Sequence, residues 1–429
     1  LWHIMKGYAH YGFRDFVDER EIRRADREQH VRQLVTESVQ ETFDLDSGPL
    51  LRARLLQISS SEHILILVAH SIVCDSTSAG ILLRDLAALY ESLKQDETPD
   101  LPDLRASYQD FATSQRLYLE SEAFESDLAY WKRRLSGVAA GLELPTDHPR
   151  PPRASFSAKR IPMVLETDVS ARLQEFALQH GSRVSTVLLT AFIAILSRYS
   201  STEDIVLGIE NSGRSPETTE AVGLFADTLP LRTDLSGSPT FLETMERVCL
   251  AEAEAWEHQS LPFGSLVQNL NLDRDLSRNP LFQVVFAYRD LPSLMPQFSD
   301  LKAVPVPLEQ MSEMFDLTLS VVAREEKLEF TFSYSTELFE DATISRMIGH
   351  YRVLLDSVLE GPDRPISGLR LLPETERHQL IADWNRTQQS SKAGAVHQMI
   401  EEQAIQAGSA IALSIGSNQI SYRELNERA

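Results

Sequence analysis

The sequence predicts two successive α/β lobes, and three observations predict them. At 429 residues the chain is too long for one ordinary hydrophobic core. Strand-like and helix-like segments are mixed in two successive blocks. Between the blocks runs Leu144-Pro145-Thr146-Asp147-His148-Pro149-Arg150-Pro151-Pro152, whose four prolines fix φ and remove donors, making a stiff connector.

In the first block, residues 27–40 read as a helix with Val31, Leu34, Val35 and Val39 on one stripe. Phe43 to Pro49 is a turn. Leu50 to Ile58 alternates, with Leu51, Ala53 and Leu55 set against Arg52 and Arg54, as in a strand with one buried face. His63 to Val68 is apolar enough to predict a strand buried on both faces. Thr77 or Ser78 is positioned to cap a helix reaching about Lys94, with Leu82, Leu86, Leu89 and Leu93 at helical spacing. A helix-rich stretch over 107–135 ends at Gly137.

In the second block, Asp168 to Gly181 reads as a helix and Ser185 to Tyr199 as a buried one. Ile205 to Ile209, Leu281 to Tyr288 and Lys327 to Tyr334 read as strands. Pro239 to Gln259 and 341–360 read as long helices. No short-period repeat or low-complexity tract interrupts them.

Composition narrows the function classes. The formal charge of −22, from 41 basic and 63 acidic residues, disfavours phosphate backbones and anionic lipid, so neither nucleic acid nor membrane is an expected partner. No apolar run reaches the roughly 18–20 residues of a membrane span. Two cysteines, Cys74 and Cys249, cannot make a disulfide framework, which points to a reducing, cytoplasmic setting. Leu1 to Gly7 carries no signal-peptide pattern. A first residue that is not Met, and a last residue inside a helix starting near Tyr422, lead us to expect that both ends are cut.

The densest polar feature is His70-Ser71-Ile72-Val73-Cys74-Asp75-Ser76, after the apolar run Ile64 to Val68 and before a helix. Polar groups at a strand terminus are a common site in α/β folds. The competing reading is a capping loop, with Asp75 or Ser76 satisfying helix amides and His70 hydrogen-bonded in the core. His70 and Ser71 are no catalytic pair by themselves, because neighbouring strand residues point to opposite faces. Ala69 and Val73 flank Ser71 where a nucleophile elbow needs glycines. The sequence also lacks His-Glu-x-x-His, Cys-x-x-Cys and Gly-x-x-x-x-Gly-Lys, so no metal or nucleotide site is expected.

Other segments give this loop a context. Tyr108-Gln109-Asp110-Phe111-Ala112, Val222 to Arg232, His258-Gln259-Ser260-Leu261-Pro262-Phe263 and Arg274 to Gln283 follow in order. Together they resemble Tyr-x-Asp-Phe-Ala-x-Trp, here without the Trp, Ile-Gly-x-Phe-Val-Asn-Thr-x-x-x-Arg, His-Gln-x-x-Pro-Phe and Arg-x-x-Ser-x-x-Pro-Leu-Phe-Gln of condensation domains in nonribosomal peptide synthetases. The resemblance covers about 20–395. Residues 70–76 then stand for that family's His-His-x-x-x-Asp-Gly, with Ser71 for the second histidine and Ser76 for the glycine. Each segment also has an architectural reading, as helix cap, turn, packing anchor or ion pair, and His258 reads as structural. Beyond Ala382-Asp383-Trp384-Asn385, residues 396–429 resemble the opening of an adenylation domain, without its nucleotide-binding motifs.

The resemblance implies two chloramphenicol-acetyltransferase-like α/β lobes in a V, the first incomplete. It divides the chain into a first lobe at 1–143, a connector at 144–155, a second lobe at 156–372, a linker at 373–395 and the adenylation start. No cofactor is expected to bind directly: upstream and downstream carrier domains, beside an adenylation domain, would deliver thioesters on phosphopantetheine arms. The implied catalytic set is His70, Ser71, Asp75 and Ser76. Asp75 would hold the loop through an arginine of the first lobe. Ser71 cannot take a proton as an imidazole does. Ser76 would place a Cβ where an unusual φ is needed. An amide-forming enzyme with reduced or lost activity is therefore the leading reading, and the paired departures tilt it toward a site put to other use. A non-catalytic platform for carrier domains or a trans-acting enzyme is the alternative. A free-standing acyltransferase of the same superfamily is a third reading, against which the 396–429 segment argues.

Overall fold

The computed structural model describes residues 13–18, 24–138, 141–270, 272, 275–290, 298–306, 311–324, 327–387 and 395–429. Arg274, the first residues and part of the 373–395 linker lie outside the described residues. The chain divides into two compact units, Leu1–Leu372 and Pro373–Ala429.

In the first unit, β1 (Phe13–Asp18), β2 (Leu51–Gln57) and β3 (His63–Ala69) form a three-stranded sheet in that order. β1 runs parallel to β2, with helix Arg24–Gln40 between them in sequence, and β3 returns antiparallel. The sequence reading contained no strand at 13–18. Val31, Leu56, Ile58 and Ile66 make the small core of this sheet. Arg52 is buried as well, against what its alternation with apolar residues implied. Its guanidinium donates to the Glu41 and Thr42 carbonyls just past the helix and stacks 3.9 Å over the Phe43 ring. A cation satisfied at a helix C-terminus is tolerated there. β3 is not buried on both faces: Ile66 is enclosed, but Leu67 is 38% exposed, since β3 has only β2 as a described neighbour.

The larger sheet takes its strands from after the proline connector: β4 (Ser157–Val164), β5 (Asp204–Asn211), β6 (Asp227–Asp234), β7 (Val284–Asp290), β8 (Met311–Ser312), β9 (Leu317–Arg324) and β10 (Lys327–Ser335). Their order is β6-β5-β7-β9-β10-β4-β8. β7 is parallel to both β5 and β9, and the other pairs are antiparallel. Helix Val184–Ser200 is enclosed without a break from Thr186 to Leu196, as expected of a helix apolar all round. Helices Thr167–Gln179, Phe241–Glu257 and Asp341–Glu360 bury apolar faces in the same core, at about 1.5–3 kcal/mol for each large side chain enclosed. That core also draws in Leu128, Trp131, Leu135 and Leu142 from before the connector.

No single described helix is long and apolar enough to cross a membrane. In the second unit, helix Val396–Gln406 precedes the antiparallel hairpin of β11 (Ile411–Ile415) and β12 (Asn418–Ser421) and helix Tyr422–Arg428. Ser421 and Glu424 form a capping box on the last helix.

Candidate active site

The polar loop leaves β3 as a tight turn. The His70 amide donates to Leu50 O, the Val73 amide to His70 O, and the Ile72 amide to His70 Nδ1 at 3.1 Å. The His70 ring stands edge-on to Phe43 at 5.6 Å, so it packs toward the small sheet. Ser71 is exposed on the turn. Burial and the neighbouring Asp75 charge push the Cys74 thiol up, so it is no ready nucleophile.

Asp75 caps helix Ser76–Gln95: its Oδ1 accepts the Ser78 amide at 2.7 Å. Neither Thr77 nor Ser78 is the cap, because Asp75 already has the extended backbone and the acceptor that a cap needs. Ser76 is the first helical residue and is not among the described residues with left-handed backbone. The expected strain of a Cβ there is therefore absent.

Among the described residues the charged partner of Asp75 is not an arginine of the first lobe. Arg214, in the segment after β5, donates to Asp75 Oδ1 at 3.0 Å and to Ser78 Oγ at 2.8 Å. The Phe225 and Ala226 amides donate to Asp75 Oδ2 at 3.1 and 3.2 Å. The two charged side chains are only 7% and 4% exposed, although the Asp75 backbone is partly open. Burial alone would raise the Asp75 carboxyl. The Ser78 and Phe225 amides and the Arg214 charge outweigh it, and the carboxyl lies below its ordinary value. Ser78 Oγ also donates to Gly223 O and accepts from Gly223 N. The loop is thus bolted to residues 211–226.

Arg214 is fixed in turn. It donates to the Thr218 and Ala221 carbonyls and lies 4.2 Å over the Phe225 ring. Phe225 contacts Tyr108 and Phe111 at 5.2 and 4.8 Å. A Cβ on Gly223 would come within 2.2 Å of the Tyr108 ring, which explains the glycine. Three of the sequence segments singled out, 70–76, 108–112 and 222–232, therefore converge on one cluster. Phe225 and Phe282 are buried and Pro280 is half-buried. His258 is held by Asp127 at 2.7 Å and stacked on Tyr130, away from the signature loop in its bonding. Asp227, where the family pattern has Asn, is raised by burial against the pull of the Phe263 and Thr228 amides.

Sequence reasoning missed Arg214, and it named Ser78 only as a helix cap, not as a link to Arg214 and Gly223. An arginine after a strand has no diagnostic spacing, and the ion pair joins positions 139 residues apart. Among the described residues no group of three His, Cys, Asp or Glu is arranged to hold a metal ion.

Comparison with known proteins follows the same lines. The family model described as "Condensation domain" matches residues 9–381. One of the linear gramicidin synthase proteins of Brevibacillus parabrevis is 39% identical over 417 residues, 96% of this chain and 5% of that protein. Tyrocidine synthase 3 of the same organism is 36% identical over 404 residues, 94% and 6% respectively. The chain thus spans a small fraction of these relatives. The X-domain in its complex with OxyB from teicoplanin biosynthesis superposes with a TM-score of 0.74 at 27% identity, covering 84% of this chain and 79% of that one. A four-domain nonribosomal peptide synthetase bound to AMP and glycine gives a TM-score of 0.75 at 22% identity, over 97% of this chain and 32% of that one, a likeness of fold.

Proposed function

The chain belongs to the condensation domain family, and on that premise we propose that it is the condensation domain of a peptide synthetase whose amide-forming step is slowed or lost at Ser71. The reaction would join two carrier-bound thioesters, the amine of one attacking the carbonyl of the other. Two chloramphenicol-acetyltransferase-like lobes in a V would hold the phosphopantetheine arms, and 396–429 would belong to an adenylation domain. Two free thiols, Cys74 and Cys249, fit a cytoplasmic setting.

One observation carries the reading. The loop that presents position 71 is kept in place by Asp75, Arg214 and Ser78, while Ser71 itself stands exposed. The scaffold of a catalytic loop is retained and the proton acceptor is not. A hydroxyl in place of imidazole removes a general-base contribution of about 10²–10⁴ in rate. The advantage of holding two reactants together would persist.

The test is single-turnover condensation in the full-length multidomain protein with loaded carriers. Ser71→His should raise amide formation by about 10²–10⁴. No rise would overturn the enzyme reading and favour a platform for carrier domains or a trans-acting enzyme. That second reading draws on one relative: the X-domain of teicoplanin biosynthesis is recorded in complex with OxyB.

A further inference from the structure

A cleft lies at the opposite end of β5 from the signature loop. Its volume is about 420 Å³, within the roughly 300–1,000 Å³ of small-molecule sites. One wall is Val138 with Gly141, Leu142 and Glu143, just before the proline connector. The other is the corner that joins helix Val184–Ser200 to β5, with Ser200 and Thr202. Two backbone features shape it. Ser201 ends the helix in left-handed backbone, with φ 55°. Gly141 has φ 90°, and a Cβ there would fall 2.0 Å from Gln283 Oε1.

This cleft is separate from the site at Ser71. Asn211, at the far end of β5, pairs with Asp227, and Ala226 next to Asp227 donates to Asp75. From Asp204 to Asn211 the strand covers roughly 23 Å. Asp204, Val206 and Gly208 share a face, and the Phe282 ring closes that face midway. A Cβ on Gly208 would lie 2.4 Å from the ring, which is wholly buried.

The lining is made of hydrogen-bond acceptors and apolar surface. The Asp204 carboxylate accepts from two nitrogens of Arg232 at 2.8 and 2.9 Å, and the third serves the Arg134 and Ser136 carbonyls. That cation is spent, while each Asp204 oxygen keeps a lone pair. Glu143 stands at the rim, 87% exposed, with Arg278 4.0 Å away. Ser200 Oγ gives its proton to Leu196 O, so it meets a ligand as an acceptor. Gly141 also borders Gln283, which is 1% exposed and whose Oε1 accepts no hydrogen bond among the described residues. A buried acceptor left unmet is a cost that a donor relieves. Val138, Leu142 and Val206 supply the apolar surface beside these oxygens.

The geometry points to a binding site for a small organic ammonium ion. Its apolar body would lie against Val138, Leu142 and Val206, and its N–H donors would face Asp204, Glu143 and Ser200. An anion would meet two carboxylates and no free cation in this lining, so a phosphorylated or carboxylate ligand is excluded. The inference does not depend on the reaction proposed at Ser71.

Methyl-detected NMR titration of the whole chain, labelled at Val and Leu, tests it with hexylammonium, 1-hexanol and hexanoate. Hexylammonium should shift the Val138, Leu142 and Val206 methyls saturably. It should bind about tenfold more tightly than 1-hexanol, the difference between charge-assisted and neutral hydrogen bonds. Hexanoate should leave those methyls unmoved. Glu143→Gln, at an exposed position, should narrow the preference for the ammonium about two- to fivefold, the worth of a solvent-exposed charge pair. Shifts that bypass these methyls, equal affinity for amine and alcohol, binding of hexanoate, or a preference untouched by Glu143→Gln would each overturn the site.

Discussion

Replacing Arg214 by Met removes the cation that faces Asp75 and leaves the carboxylate enclosed. At 3.0 Å the pair attracts by about 5 kcal/mol in an effective dielectric near 20. Desolvation offsets part of this, and three backbone amides still serve Asp75 after the change. Breaking a buried pair from one side typically costs about 3–5 kcal/mol, and that loss is expected for Arg214→Met at pH 7. The Thr218 and Ala221 carbonyls lose the Arg214 donor as well, although Thr218 O keeps the Ala221 amide. Denaturant unfolding of the single variants, with Asp75→Asn and the double variant, completes a cycle. The Asp75 carboxyl is depressed in the folded state, so its stabilisation is fully present above the unfolded value of about 3.9 and is lost as pH falls through the folded value. The cost of Arg214→Met should therefore shrink in that acid window. A cost under about 1 kcal/mol at pH 7, or a cycle additive within about 0.5 kcal/mol, would refute the reasoning.

Two further outcomes follow from the geometry. Gly223→Ala drives a Cβ to 2.2 Å from the Tyr108 ring and should cost about 1–3 kcal/mol by overpacking; Tyr108→Ala in the same chain should recover part of it in thermal melts. Glu252 is enclosed beside the Thr186 hydroxyl and raised by burial. A raised carboxyl favours the folded state below its unfolded value, about 4.3, and that advantage is lost as pH rises through the folded value. Glu252→Gln should remove this share of the pH dependence of the melting temperature above about pH 4.3, and a slope unchanged from wild type would discard this account.

Much of the larger unit was legible because its signals are local. The run Val184 to Leu196 could only be an enclosed helix, and helix Asp341–Glu360 shows the expected limits. β6 and β9 were hidden. In β6 the run Leu229-Pro230-Leu231-Arg232 carries a proline that weakens any strand reading; β9 alternates too little to announce a face. Helix Glu122–Arg134 could be placed as a helix but not assigned to a core. Its amphipathic pattern says that one side is covered, and only Leu128 and Trp131 in contact with the larger core say by what.

The signature loop shows where local reading stops. His70 and Ser71 lie past the end of β3 on a turn, so the strand alternation expected of them does not apply; His70 packs beside Phe43 and Ser71 stands exposed. The function of Asp75 is not local either, because the groups that set it come from residues 78, 214, 225 and 226. Ser71 and Ser76, the two positions where the sequence reading finds departures from the pattern it resembles, are unequal in the fold. At position 76 the backbone is helical and accepts a side chain without strain. At position 71 a hydroxyl stands on an exposed turn, where the proposed function would have a proton acceptor. Arg214, Ser78, Gly223 and Phe225 all still hold the loop, so the case for a repurposed site rests on Ser71 alone, and a single imidazole is enough to decide it.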